Sequence, residues 1–464
     1  MLPYHPMKRY SAILLALLLI AVFVIRTGSF SKKRSLTYDE YVYSMLGSQI
    51  TKDAADYNTR GIYHEALEKG RKLPRYFTKP LFKHPPFFPA LLGLNYALFG
   101  RTFYAAFAVS LFFGVLLIIL VYLFGVSLFE DRTLAVCASL LLAVEPISWI
   151  CSQKIWMEST LAFFSLLSIY LFALSVKKYH PALIMASGIA SGCAALTKYP
   201  GILPAVFILL YAAAYERWLF SKKAFLVSLL IPWAMLFPWL YWNYKVFGPA
   251  FLSEIYSVHR VSRVLSLQIL KKYLPWIALS LGGAAVALFA FRKERLRTLL
   301  VWLSIAALLW SVHKSILTVF DLSYTPSTGW FGGMFSKEPW HFYLGRMIEL
   351  SPFYLFSVIG LFLLAAEKVR GREYALLYAS SAFTLLFYIW WRNYQSRYVL
   401  APAVIFTFLS AAAQLFLWRK TMAMPRGIFR SGAQIALFAL SALFLFKTLR
   451  VDILLAVPNN ICYF

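Results

Sequence analysis

The sequence predicts an all-α polytopic membrane protein, and three observations carry that expectation. Hydrophobic residues make up 61% of the 464-residue chain and charged residues only 14%, where a soluble domain averages about 25% charged. The mean hydropathy is +0.67. The apolar residues fall in continuous runs of about 20, the length a helix needs to cross a bilayer. Backbone polar groups in hydrocarbon must be satisfied within a helix or a closed barrel. Continuous rather than alternating apolar runs select the helix.

The runs fall near 10–27, 104–128, 133–150, 158–175, 181–197, 200–217, 224–242, 274–291, 298–318, 351–366, 373–391, 399–417 and 432–446. That gives about thirteen spans. Ser11 to Ile25 follows Lys8-Arg9 and could pass for a signal peptide, but Arg26-Thr-Gly-Ser-Phe offers no small-residue cleavage site, so a retained first span is expected. The run Phe87 to Phe99 is short, opens after Pro85-Pro86 and carries Asn95. As a surface helix it leaves the short basic loops on one side: Glu130-Asp131-Arg132, Lys177-Lys178, Lys222-Lys223, Arg292 to Arg297, Lys368 to Arg372 and Arg419 to Arg430. As a full span it would move every later basic loop outside, against the positive-inside rule. An interfacial helix is therefore expected at 87–99, with a cytoplasmic N-terminus.

On this topology the extracytoplasmic side receives 28–103, 243–273 and 319–350. The first is a long polar and aromatic loop, and Asp53 to Lys72 reads as a second amphipathic, interfacial helical stretch. Loops this long in a polytopic protein are often functional. The chain 1–464 is expected to form a single transmembrane domain, its tail Lys447 to Phe464 being too short for a separate soluble C-terminal domain. The net charge of +27 fits cytoplasmic loops meeting anionic headgroups. It punctuates apolar helices and forms no contiguous basic domain, so no nucleic-acid partner is expected. Cys137, Cys151, Cys193 and Cys462 show no paired spacing, and buried small side chains account for most of them.

Five places could carry chemistry. Asp39-Glu40 follows the first span; the pair is either solvated beside Lys32-Lys33-Arg34 or a general base with an orienting partner. Lys83-His84-Pro85-Pro86 combines cations with a rigid entry to the surface helix, though a lone histidine is more often a packing residue. Glu158 opens the fourth span, where the helix dipole alone would favour an acid. Lys198, in Leu196-Thr-Lys-Tyr-Pro-Gly201, sits outside against the charge trend, by snorkelling or to meet an anion. Arg397, in Trp391-Arg-Asn-Tyr-Gln-Ser-Arg-Tyr398, lies in an aromatic belt on that same side. No P-loop, Gly-rich dinucleotide motif, His-rich metal spacing or Gly-x-Ser-x-Gly elbow occurs, which argues against a nucleotide-driven pump or a serine hydrolase.

Taken in order, these motifs resemble the GT-C glycosyltransferases of the protein O-mannosyltransferase and aminoarabinose (lipid A) transferase branch. Asp39-Glu40 stands after the first span, and His84-Pro-Pro-Phe-Phe-Pro-Ala-Leu-Leu running to Leu98-Phe-Gly100 resembles the family's His-Pro-Pro element and surface helix. Glu158 matches the second acidic position, and Gly192 through Lys198 resembles the Gly-x-x-x-Leu-Thr-Lys segment. Pro238-Trp-Leu-Tyr-Trp-Asn243, Phe247-Gly248, and Arg397-Tyr398 with Pro402 resemble later landmarks. The resemblance is fullest over residues 10–250.

The resemblance implies a GT-C bundle that transfers a sugar from a polyprenyl-phosphate donor with inversion. Asp39 would be the general base and Glu40 would order the site. Lys83, His84, Lys198 and Arg397 would hold the donor phosphate, with Glu158 in the substrate site. Two departures stand out. Many relatives carry arginine after an Ala-Ala pair where Phe107 follows Ala105-Ala106, so that contact falls to Arg101 or elsewhere, and the second acid is Glu158 rather than aspartate. No cofactor or metal is expected, although the acids could host a divalent ion. The partners expected are the lipid donor, an acceptor that is protein, lipid or glycan, and the bilayer itself, in the plasma membrane of a prokaryote. Two other readings stay open: a flippase or transporter of a lipid-linked substrate, which needs ionisable residues near span midplanes, and an assembly protein without a site. The Gly- and Trp-rich 319–350 loop is a candidate lid.

Overall fold

The computed structural model describes residues 7–28, 36–63, 80–248, 342–366 and 395–456, with short stretches of 299–324 and 376–388. These residues form helices and turns, with no strand among them. Five helices are long and apolar enough to cross a membrane, or six if one bent pair counts as a span. The chain is an integral membrane protein. The spans expected near 274–291, 298–318 and 373–391, most of 243–273, the centre of the 319–350 loop and Cys462 lie largely or wholly outside the described residues.

Helix contacts divide the chain into two compact units. The first comprises 1–35, 114–151 and 287–464, the second 36–113 and 152–286. In chain order the helices are α1 (Met7–Gly28), α2 (Tyr38–Ile50), α3 (Phe87–Phe99), α4 (Phe103–Ser127), α5 (Arg132–Ala143), α6 (Pro146–Gln153) and α7 (Glu158–Lys177). They continue as α8 (Pro181–Thr197), α9 (Leu203–Tyr215), α10 (Lys223–Phe247), α11 (Phe342–Leu350), α12 (Tyr354–Ala366), α13 (Leu400–Ala423) and α14 (Ile428–Ala456).

In the second unit, α8 packs between α7 and α10. Small residues let it do so. Ser168 and Ser187 each donate a hydroxyl to the other's carbonyl, at 2.9 and 2.7 Å, and such exchanges bind helices in lipid, where apolar contact alone gives little preference. On its other face a Cβ at Gly188 would stand 2.4 Å from the Ser228 carbonyl oxygen, so only glycine permits this approach to α10. The α2–α3 contact works the same way: a Cβ at Gly47 would meet the Leu92 Cβ at 2.7 Å.

In the first unit α13 packs against α5 and α12, and α1 against α5. The span expected at 133–150 is broken: α5 and α6 meet at 60°. Pro146 explains the break, since it lacks an N–H and disfavours helical geometry in the residue before it. The backbone N–H of Ser148 donates to Glu145 Oε2 at 2.5 Å, which caps the new helix behind its N-terminal proline. Helix α14 also runs well past the expected end at 446, taking in part of the predicted tail. Only 6% of its most apolar window is buried within the chain, the pattern of a helix facing lipid.

Two expectations for the first long loop resolve differently. Phe87–Phe99 is a helix of 13 residues, about 20 Å long and short of a span. The beginning of the Asp53–Lys72 stretch is not an α-helix: 53–59 is turns and Arg60–Tyr63 a single 3-10 turn. Asp53 caps its own turn, accepting the N–H of Ala55 at 2.8 Å, and this local bond competes with helix formation. Residues 64–72 lie outside the described part.

Candidate functional site

Helix α2 begins at the Asp39-Glu40 pair, and the two acids have different surroundings. Glu40 is fully buried. Its Oε2 accepts the backbone N–H and the hydroxyl of Thr37, both at 2.9 Å, closing the N-terminus of α2 as in a capping box. Its Oε1 accepts the N–H of Ile155 at 3.0 Å, tying α2 to the turn before α7. Asp39 is half-buried in that first helical turn, where the helix dipole favours an ionised carboxylate.

Asp39 and Tyr43 are four residues apart and so share a face of α2. The Tyr43 ring meets His84 edge-on, with centroids 5.0 Å apart. His84 is itself buried, held in a turn by its N–H to the Leu81 carbonyl at 3.1 Å. Lys83, one residue earlier, is exposed.

The backbone on each side of Lys83 is clamped by a tyrosine. Tyr57 donates its hydroxyl to the His84 carbonyl at 2.7 Å, and Tyr199 donates to the Phe82 carbonyl at 2.7 Å. Trp239 from α10 in turn donates its indole N–H to the Tyr199 oxygen at 2.9 Å and packs edge-on against Tyr57 at 5.2 Å. Burial pushes the Tyr57 phenol well above its ordinary pKa, so it remains a donor. None of Tyr57, Tyr199 or Trp239 was a site candidate from sequence, although Tyr199 and Trp239 lie inside the Leu196–Gly201 and Pro238–Asn243 motifs.

Tyr199 follows Lys198, which ends α8. The Lys198 ammonium lies 3.0 Å from Oε1 of Glu158 at the start of α7. Glu158 is 2% exposed and Lys198 17%, a mostly desolvated ion pair. Three residues before Glu158 is Ile155, whose N–H binds Glu40. The contacts thus close a circuit within the second unit, from Glu40 through Ile155, Glu158, Lys198, Tyr199 and the 82–84 turn to Tyr43, back on α2. Lys154, which sequence did not single out, is fully buried beside this circuit, with its ammonium 4.9 Å from the centroid of Trp156.

Two nominated cations remain, Arg101 and Arg397. Arg101 is exposed in the turn after α3 and makes no hydrogen bond or ion pair among the described residues. Its neighbour in charge is Tyr96, whose hydroxyl bonds Ser44 of α2 at 2.8 Å. Arg397 belongs to the first unit. It is buried in the 3-10 turn before α13, with Nε donating to Gln395 at 2.7 Å and the guanidinium 5.4 Å from the centroid of Tyr398. Phe107, where relatives carry arginine, is buried and stacks in parallel on Phe103. Among the described residues no three His, Cys, Asp or Glu side chains are grouped to hold a metal ion.

Residues 83–242 match the family model described as dolichyl-phosphate-mannose-protein mannosyltransferase, a segment that starts at Lys83 and includes Glu158, Lys198 and Trp239. Among solved structures the chain superposes on the archaeal oligosaccharyltransferase AglB from Archaeoglobus fulgidus with a TM-score of 0.54 at 16% identity, over 96% of this chain. The chain shares the fold of this GT-C enzyme. It spans 56% of the AglB chain, so the likeness is one of fold. An uncharacterized protein of Aquifex aeolicus is 27% identical over 368 residues, 70% of each chain. ArnT from Cupriavidus metallidurans also matches, at 17% identity over 87% of this chain and 76% of its own, but with a TM-score of 0.42 it adds no weight.

Proposed function

We propose that this protein is a GT-C membrane glycosyltransferase that moves a sugar from a polyprenyl-phosphate donor to an acceptor hydroxyl or phosphate with inversion. The observation that carries this reading is the circuit: it assembles an acid at a helix N-terminus, a rigid cationic turn and a second acid–cation pair within one unit. The family description names a dolichyl-phosphate-linked sugar, and the AglB complex contains a dolichol-phosphate; a lipid phosphate is the chemistry an exposed Lys83 beside a buried histidine suits.

On this reading Asp39 accepts the acceptor's proton as the acceptor oxygen attacks the anomeric carbon from the face opposite the lipid phosphate. The bond from that carbon to the phosphate oxygen breaks, and its electron pair leaves on the phosphate. Lys83 and His84 neutralise the charge that develops there, the larger electrostatic task, with Arg101 as a further cation for the donor. General-base assistance contributes about 10²–10⁴-fold. Glu40 has both carboxylate oxygens committed to the backbone and Thr37, so its role is to position Asp39. The Glu158–Lys198 pair frames the substrate side and holds the turn that carries Tyr199. By the positive-inside rule the N-terminus is cytoplasmic and the site extracytoplasmic, in a prokaryotic plasma membrane.

The transporter reading requires ionisable groups near span midplanes. Among the buried ionisable residues of the described spans, Arg26, Glu158 and Asp452 stand near helix ends and Glu145 at the α5–α6 break, which favours the transferase. Incubating purified protein with polyprenyl-phosphate sugars and a membrane extract tests it. Wild type should release free polyprenyl phosphate and the Asp39→Asn variant should not; equal release by both would remove Asp39 from the chemistry.

A further inference from the structure

The first unit contains a second ionisable group of residues that the transferase reading does not use. Arg26 near the end of α1, Glu145 at the α5–α6 break and Asp452 near the end of α14 are 0%, 1% and 2% exposed, and their charges interact. Arg26 donates Nη2 to the Ala143 carbonyl at 3.0 Å and to the Ser148 hydroxyl at 3.4 Å, and its guanidinium lies 5.7 Å from the centroid of Trp149. Neither oxygen of Asp452 has a hydrogen-bond partner, while the Tyr354 hydroxyl on α12 faces the Glu145 carboxyl. Two bare carboxylate oxygens in a buried place are costly.

The charge count is the second observation. With both carboxyls ionised the cluster carries one net negative charge inside a membrane protein, where an uncompensated charge costs several kcal/mol. Among the described residues of the packed elements, none offsets it. Cys151 on α6 and Tyr354 supply no positive charge, and α13 has no ionisable side chain before Arg419, which pairs with Asp131 at 2.8 Å. On α11, Arg346 pairs with Glu349 at 2.7 Å. Lys447 donates to the Thr318 and Asp321 carbonyls, and Arg450 leaves α14 about 200° around the helix from Asp452.

We propose that Arg26, Glu145 and Asp452 form a buried proton-binding site, in which the two carboxyl groups share one proton beside the guanidinium. The proton comes from water during folding and makes the cluster neutral. It also supplies a donor: a carboxylic O–H on Glu145 can bond a bare oxygen of Asp452. The site links α1, the α5–α6 break, α12 and α14 through one shared charge state. Because the folded unit holds a proton that the unfolded chain releases, its stability falls as pH rises.

Two measurements on the full chain in detergent test this. Infrared spectra of the wild type should show a protonated carboxyl band at neutral pH, lost in the Glu145→Gln/Asp452→Asn double variant. The unfolding midpoint of the wild type should fall by about 3 °C or more from pH ~6 to pH ~9, and Asp452→Asn, or Glu145→Gln if that variant is the better expressed, should flatten the fall. An amide replacing the neutral acid should be tolerated, whereas Arg26→Met should not. A wild-type spectrum without the band, a pH profile unchanged by both amide variants, or failure of both amide variants to fold would each overturn the proposal.

Discussion

The ammonium of Lys198 lies 3.0 Å from the Glu158 carboxylate, joining the end of α8 to the start of α7 across forty residues of sequence. Lys198 therefore has a protein counter-ion in place. Removing one partner leaves a buried charge, so Lys198→Met should destabilise by about 3 kcal/mol. Adding Glu158→Gln should recover most of that loss, as read by thermal unfolding. Additive losses in the double variant would show that the two do not act as a pair.

Glu40 and Asp39 should separate cleanly by experiment. Glu40 accepts three hydrogen bonds, so Glu40→Ala should cost about 2–4 kcal/mol and reduce transfer through misplacement. Asp39→Asn should abolish transfer while leaving the unfolding midpoint nearly unchanged. A stable, active Glu40→Ala protein would contradict the positioning role.

The tyrosine clamps make a different prediction. Tyr57→Phe and Tyr199→Phe each remove one hydroxyl that holds the backbone beside Lys83, worth about 1 kcal/mol apiece. Loosening this turn should raise the KM for the lipid-linked donor by roughly five-fold while leaving kcat within about two-fold. A fall in kcat alone would place these residues with the reacting atoms instead.

Gly201 tests how tightly the Lys198 turn is built. Its N–H bonds the Lys198 carbonyl at 2.7 Å, and a Cβ there would fall 2.0 Å from the carbonyl carbon of Ala194. The obstruction is backbone and cannot rotate away. Gly201→Ala should therefore lower stability by about 2 kcal/mol or more and weaken transfer with it. Wild-type stability in that variant would contradict the geometry.

Much of this arrangement was legible in the sequence because lipid imposes simple rules. Runs of apolar residues marked α4, α7, α10 and α13, and Pro85-Pro86 marked the start of α3. What sequence missed was governed by local backbone chemistry. Pro146 sits inside an apolar run, so the 60° break is invisible to hydropathy yet readable from the proline. Asp53 caps a turn where periodicity suggested a helix. The acids and cations of the site were legible as charges on one expected side of the membrane, but their pairing was not. That Glu158 meets Lys198, while Glu40 meets the Ile155 amide, depends on how α2, α7 and α8 pack. The clamps at Tyr57 and Tyr199 were hidden among the chain's 29 tyrosines.

The most direct test of a lipid-phosphate donor is native mass spectrometry of the purified chain. Wild type should retain a polyprenyl phosphate or its glycosylated form, and Lys83→Ala/His84→Ala protein of normal stability should lose most of it. Only ordinary phospholipids on both proteins, even after incubation with added polyprenyl phosphate, would contradict the account.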